Sequence, residues 1–171
     1  MWQVLKVESI STNAEKLSYV SIRNTVIEIL KRYREYERLI RYPGDWGERA
    51  FRFWIIKELF IDVLGWPSKS VVFGERYDVL LIDELIRPII YIETKRPGKQ
   101  IDKEDVEEAV SRAREFFSID YIVVTNGITW ILHDYATNRE LAINNIEKAD
   151  EKTVLDFFSK LRAKNFIGLE R

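Results

Sequence analysis

The sequence predicts an α/β fold, a mixed central sheet flanked by helices, and three observations predict it. Apolar residues recur at helical spacing on both sides of a central region. Between residues 70 and 133 they gather instead into short runs rich in Val, Ile and Tyr, the composition of strands. The central runs, such as Ile89-Ile90-Tyr91-Ile92, are too uniformly apolar for one face to meet water, so helices must cover the sheet on both sides.

Each element follows in order. From about Ala14 to Arg41, the residues Val20, Ile22, Val26, Ile27, Ile29, Leu30, Tyr33, Leu39 and Ile40 recur at mixed helical spacing, which predicts one long helix or two shorter ones. Pro43-Gly44 should end this element. A second helix is expected from Asp45, with Phe51, Ile55, Leu59 and Val63 as its i, i+4, i+8, i+12 stripe, stopping at Gly65 ahead of Pro67. Strands are expected at 70–73, 77–82, 88–94, 121–125 and 129–133. Between the third and fourth, Val106, Ala109, Val110, Ala113 and Phe117 make one apolar face of a helix over 102–117. Asn126-Gly127 between two strand runs is a two-residue hairpin signal. A last helix spans about 150–163 with Val154, Phe157, Phe158 and Leu161 inward. The order α, α, β, β, β, α, β, β, α, without repeat, low-complexity segment or linker, reads as one continuous domain. Residues 1–44 form an N-terminal helical extension, 45–135 the core, and 136–171 a C-terminal helical segment.

Composition bounds the function. A chain of 171 residues, 46% hydrophobic and 13% aromatic, suits one compact domain with a sizeable core. Cysteine is absent, which excludes a disulfide framework, a thiolate metal site and a cysteine nucleophile. The chain opens Met1-Trp2-Gln3-Val4 without a basic segment leading into an apolar one, and no apolar run approaches the roughly 20 residues that span a bilayer. A soluble cytoplasmic protein with no membrane partner is expected. Charged residues at 32%, abundant isoleucine and scarce glutamine are also the composition of proteins that work at high temperature. The net charge of -1 does not advertise nucleic-acid binding, but distribution matters more than the sum. Basic residues concentrate at Lys31, Arg32, Arg34, Arg38 and Arg41, and again at Arg49, Arg52, Lys95, Arg96 and Lys99. They predict either a local basic surface or solvated helix faces with pairs such as Glu28 and Arg32.

Chemistry concentrates in "YDVLLIDELIRPIIYIETK". The stretch reads as a hairpin turning near Leu85 and Ile86, so that pairing partners sum to about 171 and Asp78 stands opposite Glu93. Directly opposed like charges destabilise a sheet unless something neutralises them. A divalent cation held by oxygen ligands would do so. Side chains alternate, so Lys95 lies on the face of Glu93, one pleat along. Two acids and a lysine on one patch suit phosphodiester hydrolysis, with magnesium on Asp78 and Glu93 and with Lys95 serving the attacking water or the transition-state charge. A salt bridge between Asp78 and Lys95 at a sheet end accounts for the same spacing.

Asp78 followed by Glu93-Thr94-Lys95 at the end of an apolar strand resembles the PD-(D/E)xK motif of the restriction-endonuclease-like nucleases. "GERAFRFWIIKELFIDVLGW" ahead of the motif, "IETKRPG" within it and "VVTNGITWIL" after it look like the nuclease domain that begins type I restriction enzyme R subunits. The resemblance covers about residues 47–135, and its αβββαββ core matches the predicted order. It implies a DNA endonuclease that uses Mg2+, or Mn2+ in its place. The implied metal ligands are Asp78, Glu93 and the backbone carbonyl of Thr94, and the implied catalytic lysine is Lys95. Glu48 corresponds to the glutamate of the family's first core helix, in a metal or water role, although Asp45-Trp46-Gly47-Glu48 is also a capping box. Arg49, Arg52, Arg96, Lys99 and Lys103 would hold DNA phosphates.

The chain departs from the pattern at Tyr77, where the motif has proline, and at Glu108 and Arg112, which stand about where the family has glutamine and tyrosine. No Gly-x-x-x-x-Gly-Lys-Ser/Thr loop occurs, so no ATP is expected, nor a nicotinamide cofactor. A nuclease module is implied rather than the motor, acting as a homodimer or brought to DNA by a partner. Two other readings stay open, a catalytically silent DNA-binding or assembly module and a hydrolase of RNA or nucleotides. His133, the only histidine, is expected to be structural. Trp46, Trp54, Trp66 and Trp130 could stack on bases, with core packing expected for most.

Overall fold

The computed structural model describes residues 16–39 and 45–168, Asp45 by its backbone only. The expected stop at Pro43-Gly44 lies outside the described residues, as do Ala14, Ile40, Arg41 and the side chain of the proposed cap Asp45. The mixed spacing of the N-terminal segment resolves into a single helix, α1 (Tyr19–Leu39), because Ile22, Val26, Ile29, Leu30 and Tyr33 form one buried stripe. Val20 and Leu39 fall outside that stripe and are exposed.

Helix α2 (Asp45–Trp54) runs on without a break into a π-helical segment, Ile55–Ile61. There the Leu64 N–H donates to Leu59 O at 2.8 Å, five residues back. This wider winding moves the apolar stripe, so that Phe51, Ile55 and Leu59 are continued by the buried Leu64, with Val63 only partly covered. A 3-10 turn, Ser68–Ser70, then leads into β1 (Val71–Phe73), β2 (Val79–Ile82) and β3 (Pro88–Thr94). Helix α3 (Lys103–Ala113) crosses to β4 (Tyr121–Thr125), and β5 (Trp130–Asp134), β6 (Arg139–Ile143) and α4 (Glu151–Ser159) follow.

The strands form one sheet in the order β1-β2-β3-β4-β5-β6. Only β3 and β4 pair in parallel. A parallel pair needs a crossover connection, and α3 supplies it. Period-two alternation then divides the core. Val79, Ile90, Ile92 and Val123 pack with α1, α2 and α4, whereas Leu80, Tyr91, Ile122 and Val124 pack with Val106, Ala109 and Ala113 of α3. No helix among the described residues is long and apolar enough to cross a membrane.

Three expectations are corrected. Strand β6 was not anticipated, because it is an edge strand whose Arg139, Glu140, Leu141 and Ala142 are exposed and only Ile143 is buried, which leaves no alternation to read. The Asn126-Gly127 hairpin exists, but its loop has four residues, closed by Asn126 Oδ1 accepting from the N–H of Ile128 at 3.0 Å and of Thr129 at 2.8 Å. Glycine is required there: φ of Gly127 is 89°, and a Cβ would lie 2.8 Å from Leu30 Cδ2. Phe117 is fully exposed rather than inward, since α3 ends at Ala113. His133 is buried in β5, and Trp66 and Trp130 are core residues, whereas Trp46 is 68% exposed.

The register that positions the site agrees with the sequence reading. Val79 pairs with Ile92, Leu80 with Tyr91 and Leu81 with Ile90, before a bulge sets Ile82 against Pro88. Continued by one pair, it places Asp78 opposite Glu93. The turn carries Ile86 at φ 61°, a strained conformation for a β-branched residue. Asp83 compensates: Oδ1 accepts from the N–H of Leu85 and of Arg87, both at 2.9 Å, and Oδ2 takes the Arg87 guanidinium at 2.6 Å. These donors hold the Asp83 carboxyl below its usual value of 3.8 despite its burial. Its contribution is therefore present above pH 3.8 and is lost as pH falls through the lower folded-state value. Asp83→Ala should cost about 2 kcal/mol in urea unfolding at pH 7, a difference that shrinks in acid below pH 3.8; an unchanged urea midpoint would show that the turn does not depend on Asp83.

Candidate active site

The site is built where β2 starts and β3 ends. Alternation along β3 sends Tyr91, Glu93 and Lys95 toward α3 and sends Thr94 toward α2. Glu93 is 3% exposed and its carboxylate is surrounded by donors. Tyr91 donates its hydroxyl to Oε2 at 2.6 Å, Lys95 Nζ lies 3.2 Å from Oε1, and Arg112 Nη1, from α3, donates to Oε1 at 3.1 Å. Arg112 uses Nη2 to hold Glu108, one turn back on the same helix. Lys95 also stands 3.6 Å from Asp105 Oδ1, which takes Lys99 at 2.8 Å. Asp105 is fixed in turn by a reciprocal capping box with Asp102 at the start of α3.

On the other side, the carboxylate of Asp78 closes the end of the hairpin. Oδ2 accepts from the Thr94 N–H at 2.7 Å and from the Thr94 hydroxyl at 3.1 Å. Oδ1 lies 2.8 Å from Arg52 Nη2. The same nitrogen is 3.1 Å from Glu48 Oε1, one turn earlier on α2, and Arg52 Nε donates to Thr94 Oγ1 at 2.9 Å. One guanidinium therefore bridges the two acids that α2 and the hairpin bring together.

The electrostatics follow from burial and like charge. Desolvation and the nearby Asp78 raise the pKa of Glu48 despite Arg52 and Lys95. Burial and the nearby Glu93 raise that of Asp78 despite the Thr94 hydrogen bonds and Arg52. For Lys95, burial disfavours the ammonium, but Glu93 and Asp105 outweigh it, so the pKa is raised and Nζ keeps its proton at neutral pH. Burial and Glu93 likewise keep the Tyr91 phenol protonated as a donor.

Glu48, Asp78, Glu93, Thr94 and Lys95 are thus brought to one end of the sheet. Among the described residues, however, no three acidic or histidine side chains close around a point as a metal cage would. Arg52 and Arg112 stand among the carboxylates instead. The donor set still fits a hard cation, because magnesium needs only one or two protein carboxylates and keeps several waters. The raised pKa values of Glu48 and Asp78 come first from burial and then from the neighbouring acids, which Arg52 does not fully offset.

The residues expected at phosphates divide. Arg96 and Arg49 are exposed, the latter with its guanidinium 5.9 Å from the exposed Trp46 ring. Lys103 is 88% exposed beside Glu107, and Lys99 is 44% exposed on Asp105. Arg52 differs: only 15% of its side chain is exposed, and it faces carboxylates. Sequence reasoning gave Tyr91 and Asp105 no role in the site and left Arg112 without one. The signal for Tyr91 was its place two residues before Glu93 on the same face; Glu108 and Arg112 carried the i, i+4 spacing of a paired helix face.

The chain resembles one chain of the "cryoEM structure DrdV-DNA complex" at a TM-score of 0.51 and 16% identity. The match covers 81% of this chain but only 14% of that chain, and at such identity it is a likeness of fold. No curated protein matches. Residues 48–148, more than half of the 171, match the family model described as type I restriction enzyme R protein N terminus. The stretch that matches contains Asp78, Glu93, Lys95 and the strands and helix that hold them, and the chain belongs to that family, with a restriction-endonuclease-like fold.

Proposed function

We propose that this chain is a metal-dependent DNA endonuclease module. The observation that supports this most is the β2–β3 register, which continued by one pair sets Asp78 across from Glu93, with a protonated Lys95 at 3.2 Å from Glu93. Asp78, Glu93 and the Thr94 carbonyl would hold Mg2+ or Mn2+, with Glu48 reaching the cation or its water. When bound, the metal would polarise the scissile phosphate and lower the pKa of a coordinated water. Lys95 holds its proton at Nζ and offers positive charge to the phosphoryl oxygens as charge builds on them. The exposed Arg49, Arg96, Lys99 and Lys103 would seat the DNA backbone, with no sequence readout of their own. Cutting both strands would call for a second copy, hence a homodimer, or for a partner that supplies the module to DNA.

A second reading, a DNA-binding or assembly module that keeps the fold without cleaving, is favoured by one observation. Arg52 and Arg112 already pair with the carboxylates a metal would need.

Incubation with plasmid, branched and single-stranded DNA and with RNA, in Mg2+ or Mn2+, separates these readings. Metal-dependent DNA cleavage is expected, reduced at least roughly 100-fold by Asp78→Ala and by Lys95→Ala. The endonuclease reading fails if the wild type does not cleave, or if both variants cleave undiminished. Binding that weakens steeply with salt, without cleavage, would support the second reading.

Arg52 yields a separate expectation. Its removal leaves Glu48 and Asp78 as unneutralised neighbours, so Arg52→Ala should lower stability in metal-free buffer by about 2 kcal/mol, less than a fully buried pair because the site is partly solvated. Adding Glu48→Gln should recover part of that loss in a double-mutant cycle. Additive effects in urea unfolding would show that the guanidinium does not couple to Glu48.

A further inference from the structure

We infer that Tyr91 is a positioning residue, one that holds the Glu93 carboxylate in the orientation in which it meets a divalent cation together with Asp78. The inference rests on the reading above in one respect, that Glu93 is a metal ligand. The Tyr91 ring is fully buried against Leu80, Val106 and Ala109, so packing fixes it. Phenylalanine would fill that space equally well. Core packing therefore explains the ring but not the hydroxyl, which donates to Glu93 Oε2 at 2.6 Å and also interacts with Arg112.

A glutamate side chain has three rotatable bonds, and left to itself it would meet a cation in many orientations at an entropic cost. In this site three donors converge on it. Tyr91 binds Oε2, Lys95 lies by Oε1, and Arg112 Nη1 spans the two at 3.1 and 3.4 Å. A carboxylate offers about four acceptor positions, so these contacts fix its plane, and a cation would take the place of one of the charged donors. The three are not equivalent. Lys95 is needed by the substrate, and Arg112 is 40% exposed and shared with Glu108. Tyr91 alone combines a locked ring, a neutral donor that does not repel a cation and a short bond to a charged acceptor. Hydrogen bonds of this kind to metal-binding side chains are worth roughly 10- to 100-fold in metal affinity or activity.

The test is Mn2+ binding by titration calorimetry on the full chain without DNA, for wild type, Tyr91→Phe and Tyr19→Phe. The last variant removes a hydroxyl bound to Ala149 O at 3.0 Å, outside the site, and is the control. Thermal unfolding verifies that all three fold. Tyr91→Phe should weaken Mn2+ binding roughly 10- to 100-fold and lower kcat while leaving KM for DNA unchanged; Tyr19→Phe should do neither. Mn2+ affinity of Tyr91→Phe within about twofold of wild type, or an equal loss in Tyr19→Phe, would overturn the inference. Glu93→Gln separates the two levels. If wild type cleaves DNA and Glu93→Gln loses Mn2+ while Tyr91→Phe does not, the endonuclease reading stands and the positioning role fails. If Glu93→Gln binds Mn2+ as wild type does, or wild type binds none, both fail.

Discussion

In the β2–β3 hairpin, Val79, Leu80 and Leu81 face Ile92, Tyr91 and Ile90, and the rest of the site depends on that register. A slip by one residue would turn every side chain of β2 to the opposite face. Leu80 would leave the α3 side of the core for the α2 side, and Asp78 would no longer stand across from Glu93. Two devices at the ends of the hairpin prevent this. At the turn, Asp83 satisfies the backbone around the left-handed Ile86. At the open end, the Asp78 carboxylate takes the Thr94 N–H, so the acid that would ligate a metal also closes the ladder.

That double use has an electrostatic consequence. Around the end of the sheet, Glu48, Asp78, Glu93, Asp105 and Glu108 stand among Arg52, Lys95, Lys99 and Arg112. Burial first, and then the neighbouring acid in each case, is why Glu48 and Asp78 hold protons more readily than free carboxylic acids do. The arrangement is stable without metal because each acid has a donor. It is also one that a divalent cation would rearrange, since Arg52 Nη2 already lies between Glu48 and Asp78.

How much of this was legible depended on whether a feature leaves a local pattern. The hairpin register was legible, because Val79, Leu80 and Leu81 and Ile90, Tyr91 and Ile92 are apolar runs placed symmetrically about the turn. Asp78, Glu93 and Lys95 followed from it by strand alternation. Edge strand β6 was not, because four of its five side chains face water and carry no period. The π-helical segment was not either. Ile55 to Ile61 is a good α-helical sequence, and the extra residue per turn shows only in Leu64 replacing Val63 in the core. Arg52 was expected at a phosphate from its place with Arg49 on the first core helix, although Glu48 four residues back is one of its partners. Its other partners, Asp78 and Thr94, are 26 and 42 residues away in sequence and meet it only after the sheet forms.

The same reasoning explains the part played by α3. A parallel β3–β4 pair obliges the chain to cross the sheet, and the crossover is short enough that the helix lies over the end of β3. Its inward residues Val106, Ala109 and Ala113 bury the Tyr91 ring, and the residues flanking that apolar stripe, Asp105 and Arg112, reach Lys95 and Glu93. Packing and polar placement are therefore set by one rotation of one helix. Turning α3 to improve its burial would pull Arg112 from Glu93, and shortening its first turn would remove the capping box that fixes Asp105. Glu108 and Arg112 occupy the face that the crossover aims at the site.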